Sequence, residues 1–138
     1  MLAGWLKTKT CSEENHMGYR SDVAALFYAE NENYPPFKLF FKENFPHEEW
    51  GGCVTEFKNK YTQGFKFYCE DVKWYDSYGD VQKFEAFMDK LKELTNDYEL
   101  GWCYEFCRVG EEYNDIDFVT EGKVEGLLGV NRSIYFDV

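Results

Sequence analysis

Between Gly64 and Thr95 the hydrophobic pattern changes period. Phe65, Phe67 and Cys69 alternate with Lys66, Tyr68 and Glu70, the two-residue repeat of a half-buried strand. Beyond an aromatic stretch, Val81, Phe84, Phe87, Met88, Leu91 and Leu94 recur at the spacing of one helical face. Ser77 and Asp80 stand where an N-cap and an acidic third helical residue belong. Upstream, Tyr19–Ala29 reads as a strand with Val23, Ala25 and Phe27 facing one way and Ala24, Leu26 and Tyr28 the other. Apolar residues on both faces mark it as central. Asn33, Pro35 and Pro36 open a short helix that carries Phe37, Phe40, Phe41 and Phe45 and ends before Pro46. His47–Gly52 reads as a loop and Cys53–Asn59 as a second strand, joined to the third by a link of hairpin length, Lys60–Gly64. Glu99–Val109 is a fourth strand, where Leu100, Trp102, Tyr104 and Phe106 alternate with Gly101, Cys103, Glu105 and Cys107. A fifth strand over Asp115–Thr120, a glycine-rich connection over Glu121–Gly129 and a last strand over Arg132–Val138 complete the chain.

The order strand, helix, strand, strand, helix, strand is the split β-α-β-β-α-β arrangement of a ferredoxin-like α+β sandwich, here with an added C-terminal β-hairpin. Right-handed crossovers place strands one and three at the centre, expected to run parallel, with both helices on one face. The other face, showing Lys66, Tyr68 and Glu70, is bare unless the C-terminal hairpin or the N-terminal arm folds over it. In this arrangement Lys73–Tyr78 shares an end of the sheet with Glu30–Tyr34, His47–Gly52 and Asn96–Trp102. Arg108–Asp115 falls at the opposite end, near Tyr19–Asp22 and Gln63, so the aromatic and acidic segments are expected to lie apart. Residues 1–16 lack clear periodicity and read as a loosely held extension, with Trp5 and Leu6 available to dock; residues 17–138 read as a single domain.

Composition narrows the function classes. Aromatic residues make up 20% of the 138, enough ring area to build a core with few Leu or Ile. The net charge of −11 repels phosphate backbones and anionic membrane surfaces, and the central strands lack the basic–aromatic signature of RNA-recognition sheets. No direct nucleic-acid binding and no membrane association are expected; an acidic surface suits a basic protein partner. Five cysteines at irregular spacing do not form a disulfide framework and read as small buried or half-buried hydrophobes in a reducing cytosol. Cys103 and Cys107, four apart on one strand, are separated by about 13 Å, too far to bridge. The two histidines, His16 and His47, have no nucleophile–base pattern beside them, so no enzyme activity and no catalytic residue are expected. No Cys/His spacing fits zinc, the acidic run Glu111, Glu112, Asp115 and Asp117 lacks the glycine of a calcium loop, and no phosphate loop is present; neither metal nor cofactor is expected.

The recognition candidates are three loops. Lys73, Trp74, Tyr75, Asp76 and Tyr78 place three aromatics beside a helix N-terminus, where they could anchor a partner, stack on a flat ligand or staple the loop to the core. Glu48, Glu49 and Trp50 form a second acidic–aromatic group, and Glu111, Glu112, Asp115 and Asp117 a third. Tyr19, Arg20, Ser21, Asp22 and Arg108 read as an internal ion-pair cluster.

Three segments, MGYRSDVA (Met17–Ala24), VKWYDSYGDVQ (Val72–Gln82) and FCRVGEEYNDID (Phe106–Asp117), resemble a family of small uncharacterised proteins of tailed phages and prophages. That family carries proline at the position of Gly79 and starts at the position of Met17. The resemblance implies a phage origin and action in the host cell cytoplasm. By association with other small acidic phage proteins, it suggests an inhibitor of a host defence or nucleic-acid-handling protein, with DNA mimicry as the route. A small-ligand, nucleotide-like sequestering protein using the Trp74–Tyr78 loop, or a minor virion or assembly protein, are the alternatives. The host target, the ligand and the oligomeric state are not legible in the chain.

Overall fold

Strand β1 (Ser21–Glu30) is apolar on both sides because both sides are covered: every residue from Val23 to Ala29 is buried. The computed structural model describes residues 18–130 and 134–138, and the expected extension over residues 1–16 lies outside them. From β1 a 3₁₀ turn leads into α1 (Tyr34–Asn44), a one-turn helix α2 (His47–Trp50), a second 3₁₀ turn (Gly51–Cys53), and the hairpin β2 (Val54–Lys58) and β3 (Thr62–Val72). Helix α3 (Gly79–Leu94), strand β4 (Trp102–Gly110) and strand β5 (Ile116–Glu121) follow, and β6 (Leu128–Val130) pairs with β7 (Ile134–Phe136). The described residues therefore form a mixed α+β fold with a five-stranded antiparallel sheet, three α-helices and a C-terminal β-hairpin.

The sheet order is β2-β3-β1-β4-β5. Strands one and three are neighbours near its centre, as expected, but they run antiparallel rather than parallel. The reason is directional: β1 rises, α1 returns, β2 rises again, and a tight hairpin must send β3 back down. Ser21 consequently pairs with both Val72 and Gly110, while Glu30 pairs with Thr62 and Ala29 with Trp102. This corrects the expected grouping of loops. Lys73–Tyr78 stands at the same end as Tyr19–Asp22 and Arg108–Asp115; Glu30–Tyr34, Gln63 and Asn96–Trp102 stand at the other.

The two longer helices, α1 and α3, cover one face. There Phe27 packs at ring-centroid distances of 5.3–6.2 Å from Phe41, Phe45, Phe84, Phe87 and Tyr104, supplied by both helices and β4. Phe41 stacks on Phe65 at 3.9 Å. The alanines of β1 keep that surface low enough for rings to close over it. The opposite face is covered too: Leu128 with Leu127, Val130, Ile134 and Phe136 packs on Ala24, Leu26, Tyr28, Cys103 and Cys107. Lys66 and Tyr68 meet the Phe136 ring there, at 4.9 Å and 6.2 Å. Gly64 lies opposite both Tyr28 and Phe57, whose rings meet at 6.2 Å, and a Cβ on it would fall 2.1 Å from the Phe27 carbonyl oxygen. Only glycine permits β3 to approach β1 so closely.

Local details depart from the sequence reading in four places. Asn33 precedes α1 without its side chain capping it. Helix α3 starts after Tyr78, so Ser77 is not its cap; Asp80 instead accepts from the Val81 N–H at 2.7 Å. His47–Gly52 is mostly one helical turn, closed by the Trp50 N–H donating to the Pro46 carbonyl. Within the connection expected over Glu121–Gly129, β6 begins at Leu128.

Candidate binding surface at one end of the sheet

The end of the sheet marked by Ser21, Val72 and Gly110 gathers residues far apart in sequence, and Tyr19 is its hub. The Tyr19 N–H donates to the Tyr75 hydroxyl at 2.5 Å. The Tyr19 hydroxyl donates to Asp115 Oδ2 at 2.7 Å and accepts from the Glu112 N–H at 2.8 Å. Next to it, the Arg20 N–H donates to Glu111 Oε2 at 2.6 Å, and Arg20 Nη1 reaches the Asp71 carbonyl at 3.1 Å. Asp71 holds a positive φ of 58° and is fixed by its N–H donating to Asp22 Oδ1 at 2.9 Å. Gly110 leaves room for this cluster: a Cβ there would strike Asp115 and the Tyr19 hydroxyl.

Arg108 binds the acidic turn from below. Its guanidinium donates to Asp117 at 2.8 Å, to Asp115 at 2.5 Å and to the Ser21 hydroxyl at 2.9 Å, with the side chain 15% exposed. The bidentate fork fits two carboxylates at once. Those hydrogen bonds hold Arg108 in its charged form, and the Tyr19 hydroxyl is raised by desolvation and by its bond to Asp115. Of the expected internal ion-pair cluster of Tyr19, Arg20, Ser21, Asp22 and Arg108, Arg108 does bond Ser21, but its ion pairs run to Asp115 and Asp117, and Arg20 and Asp22 bond the Asp71 backbone instead.

The aromatic loop divides. Trp74 is buried, 5.2 Å from both Trp50 and Phe84, and Trp50 is buried as well, its indole N–H donating to the Asp80 carbonyl at 2.8 Å. These tryptophans fix the loop and α2 to the core. Tyr75 is half-buried and meets the exposed Tyr78 edge-on at 5.0 Å. Lys73 is half-buried beside Gly18, while Asp76 is exposed. Glu49 pairs with Lys83; Glu48, Glu111, Glu112 and Asp117 are exposed. The surface is therefore a set of carboxylates above a tied-down base, bordered by Tyr78 and by Tyr113, which is 76% exposed. Sequence reading passed over Tyr113 and the hub role of Tyr19. The sole signal for Tyr113 was an aromatic inside an acidic turn.

A second polar constellation, also unforeseen, lies under the C-terminal hairpin. Glu105 is fully buried and accepts from the Tyr28 hydroxyl at 2.5 Å and from the Leu127 and Leu128 N–H groups at 3.0 and 3.1 Å. Tyr28 in turn accepts from the Glu125 N–H at 2.8 Å, and burial raises its hydroxyl far above the ordinary value. A carboxylate sharing one face of an apolar strand with Cys103 and Cys107 was the available clue. Burial pushes those thiols up to about 12 and about 11, leaving them protonated and weakly nucleophilic at neutral pH.

At the far end of the sheet a cleft of 800 Å³ opens between the Thr95–Trp102 segment and the Gly122–Glu125 segment, with Tyr28, Thr62 and Trp102 among its walls. Among the described residues no group of three His, Cys, Asp or Glu side chains is arranged to hold a metal, and no helix is long and apolar enough to cross a membrane. Comparison with protein-family models, with curated proteins and with solved structures finds no match.

Proposed function

We propose that this chain is a small acidic binding protein of phage origin. It acts in the host cytoplasm by occupying the basic face of a host defence or nucleic-acid-handling protein. The observation that supports the reading is that Tyr19 bonds both Tyr75 of the aromatic loop and Asp115 of the acidic turn, while Trp50 packs on Trp74. The three candidate segments thus share one end of the sheet, and Glu48, Asp76, Glu111, Glu112 and Asp117 on them are exposed. Carboxylates carried on a backbone already held by hydrogen bonds need less ordering when a basic partner docks, which lowers the entropic cost. Charges outside it within a Debye length of about 8 Å add to long-range attraction. Tyr78 and Tyr113 supply amphipathic contact area at the edge. The sheet order is compatible with a ferredoxin-like sandwich extended by β5 and capped by the β6–β7 hairpin, and such a scaffold by itself implies no activity. The test is retention of proteins from bacterial host lysate on the immobilised chain, washed in rising salt. A basic nucleic-acid-handling protein released at moderate salt is expected; retention of no protein, or retention indifferent to salt, would overturn the reading.

The ligand-sequestering alternative changes place. Trp74 offers no free ring face at the aromatic loop, whereas the 800 Å³ cleft lies at the opposite end, with Lys123 and Tyr98 on its walls. A small molecule carried through purification, lost on Lys123→Glu substitution, would favour this second reading.

A further inference from the structure

Cys53 and Cys69 stand 16 residues apart, yet their Sγ atoms lie 3.3 Å from each other. Neither is in a disulfide, both are half-buried, and both pack against the helix-side core. The strand register does not pair them. Extending the match of Val54 with Phe67 outward would set Cys53 against Tyr68, and the 3₁₀ turn Gly51–Cys53 instead brings the thiol across to Cys69. The approach is therefore a product of that turn.

We propose that Cys53 and Cys69 form an oxidation site, closing to an intramolecular disulfide when a small-molecule disulfide such as oxidised glutathione is the electron acceptor. One thiol, as thiolate, attacks the glutathione disulfide and releases one glutathione thiolate, which takes up a proton. The second protein thiol then loses its proton, attacks the mixed disulfide and releases the second glutathione. Two protein thiols and one small disulfide become one protein disulfide and two small thiols. Partial exposure admits the reagent, and the second step is intramolecular over a short distance.

The bond would join two pieces of the binding end. Cys53 directly follows the segment that carries Glu48, Glu49 and Trp50, and Cys69 lies in the strand that leads into Lys73–Tyr78. Closing a loop of this length restricts the unfolded chain. The proposal does not depend on what the surface binds.

The full chain is equilibrated with glutathione at graded reduced-to-oxidised ratios, trapped with an alkylating agent, digested and mapped by mass spectrometry. A Cys53–Cys69 cross-linked peptide should accumulate as the ratio becomes oxidising. The oxidised chain should melt about 5 °C or more above the reduced one, and the gain should vanish on reduction. Cys53→Ser and Cys69→Ser should each keep the reduced melting temperature within a few degrees and lose the oxidative gain. Stable glutathione adducts at either cysteine without the cross-link, or pairing of either one with another cysteine, would overturn the proposal.

Discussion

At the scale of single residues, the buried Glu105 and the half-buried Arg108 organise the polar contacts, and each can be removed cleanly. Glu105 accepts three hydrogen bonds in a site with no exposure, so Glu105→Ala strands the Tyr28 hydroxyl and two backbone N–H groups. The expected cost is about 3 kcal/mol in urea denaturation, with Tyr28→Phe costing about 1 kcal/mol. Hydrogen exchange at the Leu127 and Leu128 amides should accelerate in the alanine variant before the rest of the sheet does. Arg108→Ala leaves Asp115 and Asp117 facing each other without their cation and should cost about 2 kcal/mol, less at high salt where the repulsion is screened. The sequence reading missed Glu105 and had Arg108 in an internal ion pair but with the wrong carboxylates. Glu105 appeared only as an alternation position, because its partners lie 22 or more residues away, and Arg108 was grouped with Tyr19–Asp22, whereas its carboxylates sit in the turn seven and nine residues on.

At the scale of elements, what was legible is what has a short period. The alternation in β3 and β4, the stripe Val81–Leu94 and the apolar filling of β1 all appear in the structure on the expected faces. What was not legible is either too short or non-local. β6 spans three residues and α2 one turn, less than one full repeat of any pattern. The antiparallel sense of β1 and β3 depends on counting reversals of direction through α1 and the β2–β3 hairpin, and misjudging it scattered the candidate surface to opposite ends. The start of α3 gives a direct test of local reasoning. Gly79 is the first helical residue, open space surrounds the position of a Cβ, and Tyr78 before it is extended at φ −78° and ψ 136°. Proline fits all three conditions. Gly79→Pro should therefore stabilise the chain by about 0.5–1 kcal/mol, read as a rise in thermal midpoint.

At the scale of the whole molecule, the balance of protonation sets an alkaline limit. Burial raises Tyr28, Tyr104, Cys103 and Cys107 above their unfolded values, Tyr104 to about 12. Groups raised in the folded state contribute stability that is whole below the unfolded values of 9.0 and 10.0 and is lost as pH climbs past them. The thermal midpoint should fall progressively above about pH 9, and Cys103→Ala should soften the onset of that fall. Net charge is the other molecular property in play. A chain at −11 attracts basic proteins from every side, so location must be separated from total charge.

The decisive measurement compares two triple charge reversals for retention of host proteins at one salt concentration. Glu48→Lys, Asp76→Lys and Glu112→Lys alter the proposed surface; Glu30→Lys, Asp97→Lys and Glu125→Lys alter the far end by the same number of charges. The first variant should lose the partner by tenfold or more, while the second retains it within about threefold, as expected when surface charges act mainly where they touch. Equal losses in both, or none in either, would contradict a binding surface at the end of the sheet where Tyr19, Tyr75 and Asp115 meet.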